Sequence, residues 1–266
     1  MNAAGRIELE RALRERGEAG AVREVAIHNV RLHVGTTEHY GREDWLQLET
    51  ARYAAWGPCP IADVATIDAQ WGSAAGLIAA RWRLGSADRA PRGACLTVVH
   101  DGRIVREWQF FDRTALPAIA SMGKLPRRAG VPLDYGEVRP AMGQVAPDRR
   151  ATAIAAPEIA AHPVVEHWHR RWNLRQGETT DLLFPFEAPV MFCERLVLAS
   201  DELAVALQWR LVGRLVAPAW GLAPTGDRLE LPGLSFFRLD GSKVINTADH
   251  FDVRALADQA ALRAVA

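Results

Sequence analysis

The strongest constraint on the fold of this chain is a pattern that occurs twice. Near the C-terminus, two runs rich in β-branched, aromatic and leucine residues flank Asp240-Gly241, a dipeptide that tolerates the positive φ angles of hairpin turns. An earlier copy places Asp101-Gly102 between two similar runs. Trp82 and Trp209 each begin a Trp-Arg-Leu triplet ahead of their hairpin. Landmarks that agree in order over about a hundred residues indicate an internal repeat and predict two related domains.

The segment between the two copies differs from both in composition. It has few large apolar residues and six prolines, namely Pro126, Pro132, Pro140, Pro147, Pro157 and Pro163. Because proline lacks an N–H donor and the segment can bury little surface, we predict an extended Pro-rich linker over residues 123–160. The predicted domains are residues 1–122 and 161–266, and both are long enough to bury a core.

Each predicted domain begins with helices and continues as a meander of strands. In the first half, apolar residues at helical spacing predict a helix over residues 43–56. Four strands follow, predicted over residues 61–68, 76–84, 93–100 and 104–112. The heavily charged helix predicted at residues 6–16 has few apolar positions, so we expect it to dock weakly. Helices segregated from an antiparallel sheet give an α+β fold, and a curved sheet under them encloses a cone-shaped cavity.

The charge balance and the cysteines bear on partners and location. The formal net charge is zero and the basic residues, almost all arginine, are scattered, so we expect them to be solvated and predict no nucleic-acid or membrane partner.

The N-terminus lacks a secretory signal pattern, and no apolar run approaches a membrane span. The chain has three cysteines, Cys59, Cys95 and Cys193, which lie far apart in the sequence. An odd number of widely separated cysteines is typical of buried thiols in a reducing compartment. A cytoplasmic location follows.

Several short motifs carry a family resemblance. In the second half they are Pro224-Thr225-Gly226, Arg228, Gly233, Phe237-Arg238, Asp240-Gly241, Lys243-Val244 and Asp252. In the first half they are Gly41-Arg42-Glu43, Arg103-Ile104-Val105, Glu107-Trp108 and Asp112. With these residues, both halves resemble the SnoaL-like polyketide cyclase family of the nuclear transport factor 2-like superfamily. The resemblance implies a tandem of two cone-shaped α+β domains, each a curved and mostly antiparallel sheet with helices over its open face.

The resemblance also implies a chemistry and a mode of pairing. In cyclases of this family, an aspartate on the last strand faces the cavity and serves as acid and base in an intramolecular aldol closure, without a cofactor. By position, Asp112 and Asp252 match that aspartate. The superfamily also contains isomerases, hydratases and binding proteins, so the fold is implied more directly than the reaction. Because its members pair through the outer faces of their sheets, the resemblance implies a pseudo-dimer within the chain and allows a further homodimer.

Strand alternation groups the candidate catalytic side chains. Residues two apart share a face, so Asp112 is expected beside Trp108 and Phe110, and Asp252 beside His250. A carboxylate among aromatic rings has a raised pKa, as a general acid or base requires. We therefore predict Asp252 as the base, Asp112 as its counterpart and His250 as a proton shuttle. The alternative is that both aspartates are helix N-caps.

The opposite face of each last strand carries Glu107 and Asp249. Because they alternate away from the two aspartates, Glu107 is the weaker candidate for a role and Asp249 is expected to be solvated. On the strands, Trp82, Trp108, Phe110 and Trp209 are predicted to bind substrate, although large aromatic residues also fill cores without a ligand. An apolar wall with one or two acidic groups predicts a small, neutral, hydrophobic carbonyl compound as ligand.

No cofactor and no metal is predicted. His162, His167 and His169 lie near one predicted helix but lack the i, i+4 spacing of a helical zinc pair, and no phosphate-binding loop or serine nucleophile elbow occurs. The sequence thus favours a cofactor-independent acid/base enzyme of cyclase or isomerase type. The alternative is a non-catalytic small-molecule-binding or assembly module of the same fold, with aromatic side chains filling the cavities.

Overall fold

The structure is a computed structural model. It describes residues 1–35, 37–56, 61–71, 75–84, 92–111, 152–155, 157–168, 186–199, 203–216, 223–252 and 254–263. Its elements form two β-sheets with helices on their outer sides, which is an α+β arrangement. The boundaries predicted for two separate domains stay a prediction, and residues 123–151 of the predicted linker lie outside the described residues.

The first sheet is built from the N-terminal part of the chain. Its helices are α1 (Ala3–Arg11), which continues as a π-helix over Ala12–Arg16, α2 (Ala21–Val25) and α3 (Arg42–Trp56). Its strands are β1 (Ala26–Val34), β2 (Thr37–Tyr40), β3 (Ile61–Trp71), β4 (Ala75–Leu84), β5 (Arg92–His100) and β6 (Arg103–Phe111). The strand order is β2-β1-β6-β5-β4-β3, with β1 parallel to β6 and all other neighbours antiparallel. The predicted helix and four strands of this half are confirmed.

The second sheet has five strands in the order β11-β10-β9-β8-β7. They are β7 (Thr152–Ala155), β8 (Phe186–Leu198), β9 (Ala204–Leu215), β10 (Arg228–Asp240) and β11 (Lys243–Phe251). Strand β7 is parallel to β8, and the other neighbours are antiparallel. The helices of this part are α4 (Pro157–Ala160), α5 (residues 163–168) and α6 (Arg254–Arg263).

Part of the segment predicted as an extended linker is a β-strand. Residues 152–155 form β7, which pairs with Val190 to Cys193 of β8. The four residues Thr-Ala-Ile-Ala contain no proline, so all their backbone donors are available to a sheet. The prediction had extended the proline-rich composition over a stretch that lacks it.

The predicted hairpin turns are present in both sheets. Asp101 and Gly102 have φ angles of 48° and 73° between β5 and β6, and Gly241 has φ 56° between β10 and β11. Positive φ at both central residues, as at Asp101 and Gly102, or at the first of them, as at Gly241, matches the right-handed twist of the flanking strands. The glycine of each dipeptide therefore lies in the turn of its hairpin.

Buried apolar residues form three layers. One lies between the first sheet and helices α1 to α3, and includes Leu9, Leu13 and Trp45. A second lies on one face of the second sheet, where Val164, Val165 and Trp168 of α5 and Leu256 of α6 pack. The third joins the two sheets, because Leu96 and Phe110 of the first belong to one cluster with Leu234 and Phe236 of the second. The sheets thus pack on each other through the faces that their own helices leave uncovered.

Helix α1 is firmly docked, contrary to the expectation of weak docking. Leu9 and Leu13 are buried, and so are the charged side chains of Arg6 and Glu10. Apolar residues were too few to predict this contact, because charged side chains supply the rest of the docked surface.

Candidate functional site

The two faces of strand β6 have different neighbours, and this decides which side chains could form a site. Glu107 lies on the helix-covered face, where Nη2 of Arg6 in α1 donates to its Oε1 at 3.2 Å. Trp108 and Phe110 lie on the opposite face, in the layer between the two sheets. Trp108 and Phe110, which are predicted to bind substrate, therefore lie on the face that the helices leave uncovered. The two side chains share that face, as strand alternation predicts.

Trp108 is enclosed by groups from both sheets. Its ring stacks on His33 of β1, with centroids 5.2 Å apart and planes 11° apart. The guanidinium carbon of Arg195, on β8 of the second sheet, lies 4.4 Å from the Trp108 ring centroid. These contacts are cation–π and stacking contacts of a sheet-to-sheet interface.

The helix-covered face of the first sheet holds a buried set of polar side chains, here called the ion cluster. Every member is at most 4% exposed. The members are Arg6, Glu10, Arg14, Glu49, Arg52, Cys95, Thr97, Glu107 and Gln109. Arginine and glutamate are almost never buried unless they are paired, so such a set in one place requires close partners.

Local structure explains how the cluster assembles. Residues 6, 10 and 14 recur every four positions along the N-terminal helix, and residues 49 and 52 are one turn apart on α3, so each set shares a helix face. Residues 95 and 97 of β5 and 107 and 109 of β6 are two apart and share one face of the sheet. The register pairs Thr97 with Glu107 and Cys95 with Gln109.

Glu49 is the most heavily paired carboxylate of the cluster. It accepts from Arg14 Nη1 at 2.5 Å, from Arg52 Nη1 at 2.7 Å and from Trp45 Nε1 at 3.1 Å. Burial alone would raise its pKa, but the positive charges of Arg14 and Arg52 outweigh burial and lower the pKa of Glu49 to about 2. Glu49 is therefore ionised at neutral pH.

Glu107 has a contrasting environment in the same cluster. It accepts from Thr97 Oγ1 at 3.1 Å and from Gln109 Nε2 at 2.7 Å, besides Arg6. Burial raises the pKa of Glu107 above its ordinary value, and the nearby positive charge of Arg6 only partly opposes this. Two carboxylates with pKa values moved in opposite directions are a pattern found where one of them handles protons.

The Arg6 guanidinium uses only part of its hydrogen-bond donors within the described residues. Its Nη2 contacts Glu10 Oε1 at 2.5 Å and Cys95 Sγ at 2.9 Å, in addition to Glu107. Its Nε and Nη1 atoms are buried and have no hydrogen-bond partner among the described residues. Buried donors are nearly always paired, so these two atoms mark a place where an acceptor oxygen would be stabilised.

Cys95 does not supply a nucleophile to this cluster. Burial raises the pKa of its thiol to about 12, although the positive charge of Arg6 acts in the opposite direction. A thiol of this kind is uncharged at neutral pH and unreactive. Cys193 is likewise a buried free thiol, and Cys59 lies outside the described residues.

The helix-covered face of the second sheet carries a shorter polar chain. Trp209 Nε1 donates to Ser235 Oγ at 2.8 Å, and Ser235 Oγ donates to an Asp249 carboxylate oxygen at 2.6 Å. Asp249 is half-buried, so the expectation that it is solvated is not met. It faces the helices because Ser235 and Asp249 are register partners on β10 and β11.

His250 and Asp252, two of the predicted catalytic residues, lie outside the ion cluster. His250 packs edge-on against Phe236, with ring centroids 5.9 Å apart, in the layer between the sheets. Asp252 is 2% exposed and directly follows β11, and its backbone carbonyl accepts from the Ala255 amide at 3.1 Å. Helix α6 begins at Arg254 and Val253 lies outside the described residues, so the N-cap interpretation of Asp252 stays a prediction. Asp112 lies outside the described residues.

Of the predicted aromatic residues, Trp82 and Trp209 lie on the helix-covered faces. Trp82 belongs to the core under α1 to α3, and Trp209 to the core under α5 and α6. The arginines of the ion cluster were missed, because scattered basic residues were expected to be solvated. The spacing Arg6, Glu10, Arg14 beside Leu9 and Leu13 was the signal that could have revealed a charged but buried helix face.

The described residues contain no group of three or more histidine, cysteine, aspartate or glutamate side chains placed to hold a metal ion. No helix in the described ranges combines the length and apolar character needed to span a bilayer.

Comparisons with known proteins give partial structural likenesses. No protein-family model and no curated protein matches the sequence. Among solved structures, a protein from Kribbella flavida is 20% identical over 45% of this chain and 94% of that chain, with a TM-score of 0.32. A nuclear transport factor 2-like protein from Shewanella oneidensis is 18% identical over 40% of this chain and 96% of that chain, with a TM-score of 0.32. A candidate SnoaL-like polyketide cyclase from Jannaschia is 13% identical over 44% of this chain and 91% of that chain, also with a TM-score of 0.32.

Proposed function

We propose that the ion cluster is the active site of a cofactor-independent acid/base enzyme that acts on a small carbonyl compound. The observation that carries the proposal is a buried carboxyl group with a raised pKa, Glu107, next to the buried and unsatisfied donors of Arg6. A base and an oxyanion-stabilising cation side by side are the two groups that enolisation requires. In this proposal Glu107 takes the role that the sequence suggested for Asp112.

In the proposed reaction Glu107 moves the proton and Arg6 stabilises the negative charge. Glu107 in its carboxylate form removes a proton from the carbon next to the substrate carbonyl, and the electron pair of that C–H bond moves to the carbonyl oxygen. Arg6 donates to this oxygen as its negative charge develops. Glu107 then returns the proton to another carbon for an isomerisation, or the enolate carbon attacks a second carbonyl for an aldol closure, after which Glu107 protonates the alkoxide. Proton transfer of this kind contributes roughly two to four powers of ten in rate.

The two-sheet arrangement supports further parts of the proposal. The repeat in the sequence and the cluster that joins the sheets support a tandem of two SnoaL-like domains that pair internally as a pseudo-dimer through their outer faces. A homodimer of the whole chain stays a prediction. The free buried thiols Cys95 and Cys193 support a cytoplasmic location.

The second sheet favours the alternative function for its own half. Trp168, Trp209 and Phe237 are at most 2% exposed on its helix-covered side, and the Trp168 and Trp209 rings lie 5.3 Å apart. Aromatic side chains that fill this face form a hydrophobic core and not a binding cavity. We therefore propose the first sheet as the catalytic half and the second as an assembly half.

Hydrogen exchange at carbon tests the proposed function. The purified chain is incubated in D₂O with small ketones and 1,3-dicarbonyl compounds, and deuterium at the α-carbon is followed by mass spectrometry. We expect exchange in the wild type and in Asp252→Asn, and a loss of about 10²-fold or more in Glu107→Gln. Asp249→Asn is the control for a carboxyl group on the corresponding face of the second sheet.

Other outcomes would change the assignment. Full exchange in a folded Glu107→Gln variant overturns the role of Glu107. Loss in Asp252→Asn alone restores the aspartate that the sequence suggested. Ligand-induced quenching of tryptophan fluorescence without exchange in any variant identifies a binding module.

A further inference from the structure

We propose that this site also binds small carboxylates, with the anion on Arg6, and that one proton enters the ion cluster with each anion. The inference rests on the site of the proposed function and names a class of ligand that mimics its enolate intermediate, in which Glu107 has taken up the proton and a negatively charged oxygen lies at Arg6. Such an anion competes with the neutral carbonyl substrate, because Glu107 is protonated while the anion is bound. The donors on Arg6 and the count of charges around Glu107 carry the inference.

The first observation is the hydrogen-bonding state of Arg6. Its side chain is fully buried and its Nη2 atom donates to three acceptors, whereas Nε and Nη1 donate to no acceptor in the part of the chain that the structure describes. A buried guanidinium gains most from a charged acceptor, because charge-assisted hydrogen bonds are roughly twice as strong as neutral ones. A carboxylate or enolate oxygen satisfies these donors better than a ketone oxygen does.

The second observation is the charge balance of the cluster. Arg6, Arg14 and Arg52 face Glu10, Glu49 and Glu107, so three positive charges meet three negative charges when all are ionised. With Glu107 protonated, three positive charges meet two negative ones, and one positive charge is left over. An uncompensated buried charge is costly, and a bound monoanion removes the imbalance.

The surroundings of Glu107 favour the protonated state that an anion would require. The groups that face it are Arg6 and Glu10 from α1, Glu49 and Arg52 from α3, Cys95 and Thr97 from β5, and Gln109 from its own strand. Burial raises the pKa of Glu107, and the negative charges of Glu10 and Glu49 raise it further. An anion placed on Arg6 adds another negative charge nearby, so anion binding and proton uptake favour each other.

Isothermal titration calorimetry with matched probes tests the inference. The anions are acetate and benzoate, and their neutral counterparts are acetamide and benzamide. Titrations in two buffers of different ionisation enthalpy, at pH values from 5 to 8, give the number of protons taken up per ligand. We expect each anion to bind at least about tenfold more tightly than its amide, with uptake approaching one proton at the upper end of the pH range.

Variants assign the effect to the two residues. Glu107→Gln keeps the leftover positive charge permanently, so it binds anions without the proton uptake seen in the wild type. Arg6→Gln weakens anion binding at least about tenfold, while Arg6→Lys, which keeps the charge, weakens it less. Arg16→Gln, on the exposed side of the same helical segment, binds as the wild type does.

The inference is wrong if the amides bind as well as the anions, if anions bind without proton uptake, or if a folded Arg6→Gln variant binds them unchanged. If Arg6→Gln does not fold, the wild-type and Glu107→Gln titrations still decide. The outcome is separate from that of the exchange experiment. Anion binding with proton uptake but no carbon exchange supports the inference and overturns the enzyme, whereas exchange on neutral ketones with no anion preference does the reverse.

Discussion

Gly93 lies directly against the indole ring of Trp82, its register partner on the neighbouring strand. A Cβ atom at position 93 would be 2.2 Å from Cζ2 of that ring. The second sheet repeats the relationship, since a Cβ atom at Gly233 would be 2.2 Å from Cζ2 of Trp209, again its register partner. Each sheet therefore has a glycine packed against the ring of a tryptophan on the neighbouring strand, as a repeat of sequence and structure would require.

Both glycines are expected to be intolerant of a methyl group. Gly93→Ala and Gly233→Ala should each lower the free energy of unfolding by about 1 to 3 kcal/mol, because a rigid indole cannot move aside without backbone shifts. Urea denaturation followed by circular dichroism measures the loss. The control is Gly20→Ala, since nothing lies within 4 Å of a Cβ atom there and its φ is −57°. Equal stability of all three variants would contradict the prediction.

His33 is expected to make the fold sensitive to acid. Burial, together with the positive charges of Arg106, Arg195, Arg31 and His39, lowers the pKa of His33 from 6.5 to about 3. Glu38 Oε1 is the nearby negative group, 3.6 Å from His33 Nε2. In the unfolded chain His33 binds a proton more tightly than in the folded protein. The stability that comes from burying His33 in its uncharged form is therefore complete above about pH 6.5 and is lost as the pH falls towards 3.

The substitution His33→Phe isolates this effect. It keeps the stacking on Trp108 and removes the titrating group, so its stability should fall less steeply than that of the wild type between pH 6.5 and pH 4. Urea midpoints at several pH values measure the slopes. His100→Phe, at an exposed position, should follow the wild type. Identical slopes for all three proteins would show that His33 does not control acid stability.

Arg14 is expected to be essential for the stability of the first sheet. Its contact with Glu49 is buried on both sides, and removal of one partner of a buried pair typically costs about 3 to 5 kcal/mol. Arg14→Met should therefore unfold at much lower urea concentration than the wild type. Arg16→Met, two residues along the same helical segment but exposed, should change the midpoint little. A similar change in both variants would argue against a special role of the buried pair.

Arg195 and Trp108 are expected to couple the two sheets. Arg195→Met should lower the free energy of unfolding by about 0.5 to 2 kcal/mol, because it removes a partly buried cation–π contact. The loss should shrink when Trp108 is already replaced by leucine, which a double-mutant cycle measures. Arg238→Met on the exposed side of β10 is the control. Strict additivity of Arg195→Met and Trp108→Leu would mean that this contact does not join the sheets.

Much of the local structure could be predicted because its causes are local. The Asp-Gly dipeptides at 101–102 and 240–241 predict hairpins because their glycines adopt the positive φ angles of hairpin turns, which few other residues do. The helix at 42–56 follows from the spacing of its apolar residues. Strand β7 was missed because a prediction from average composition cannot see a proline-free stretch of four residues.

The face of the first sheet that the helices cover could not be predicted from the sequence, for a physical reason. A strand exposes two faces, and its alternation says which side chains share one but not which face the helices cover. Glu107 and Trp108 are adjacent in sequence, yet one pairs with Arg6 under α1 and the other contacts the second sheet. Trp108 and Phe110 suggested the cavity side of β6, although these two rings lie between the sheets.

The sequence by itself determined the strand and hairpin pattern, the repeat and the sets of side chains that share a face, because each depends on backbone preferences and spacing within a short stretch. Only the tertiary structure decided that Arg6, Arg14 and Arg52 are buried with Glu10, Glu49 and Glu107. Their burial depends on partners up to about a hundred positions away in the chain. A charged residue is solvated or buried according to whether such partners meet it, and that meeting is a property of the packed fold.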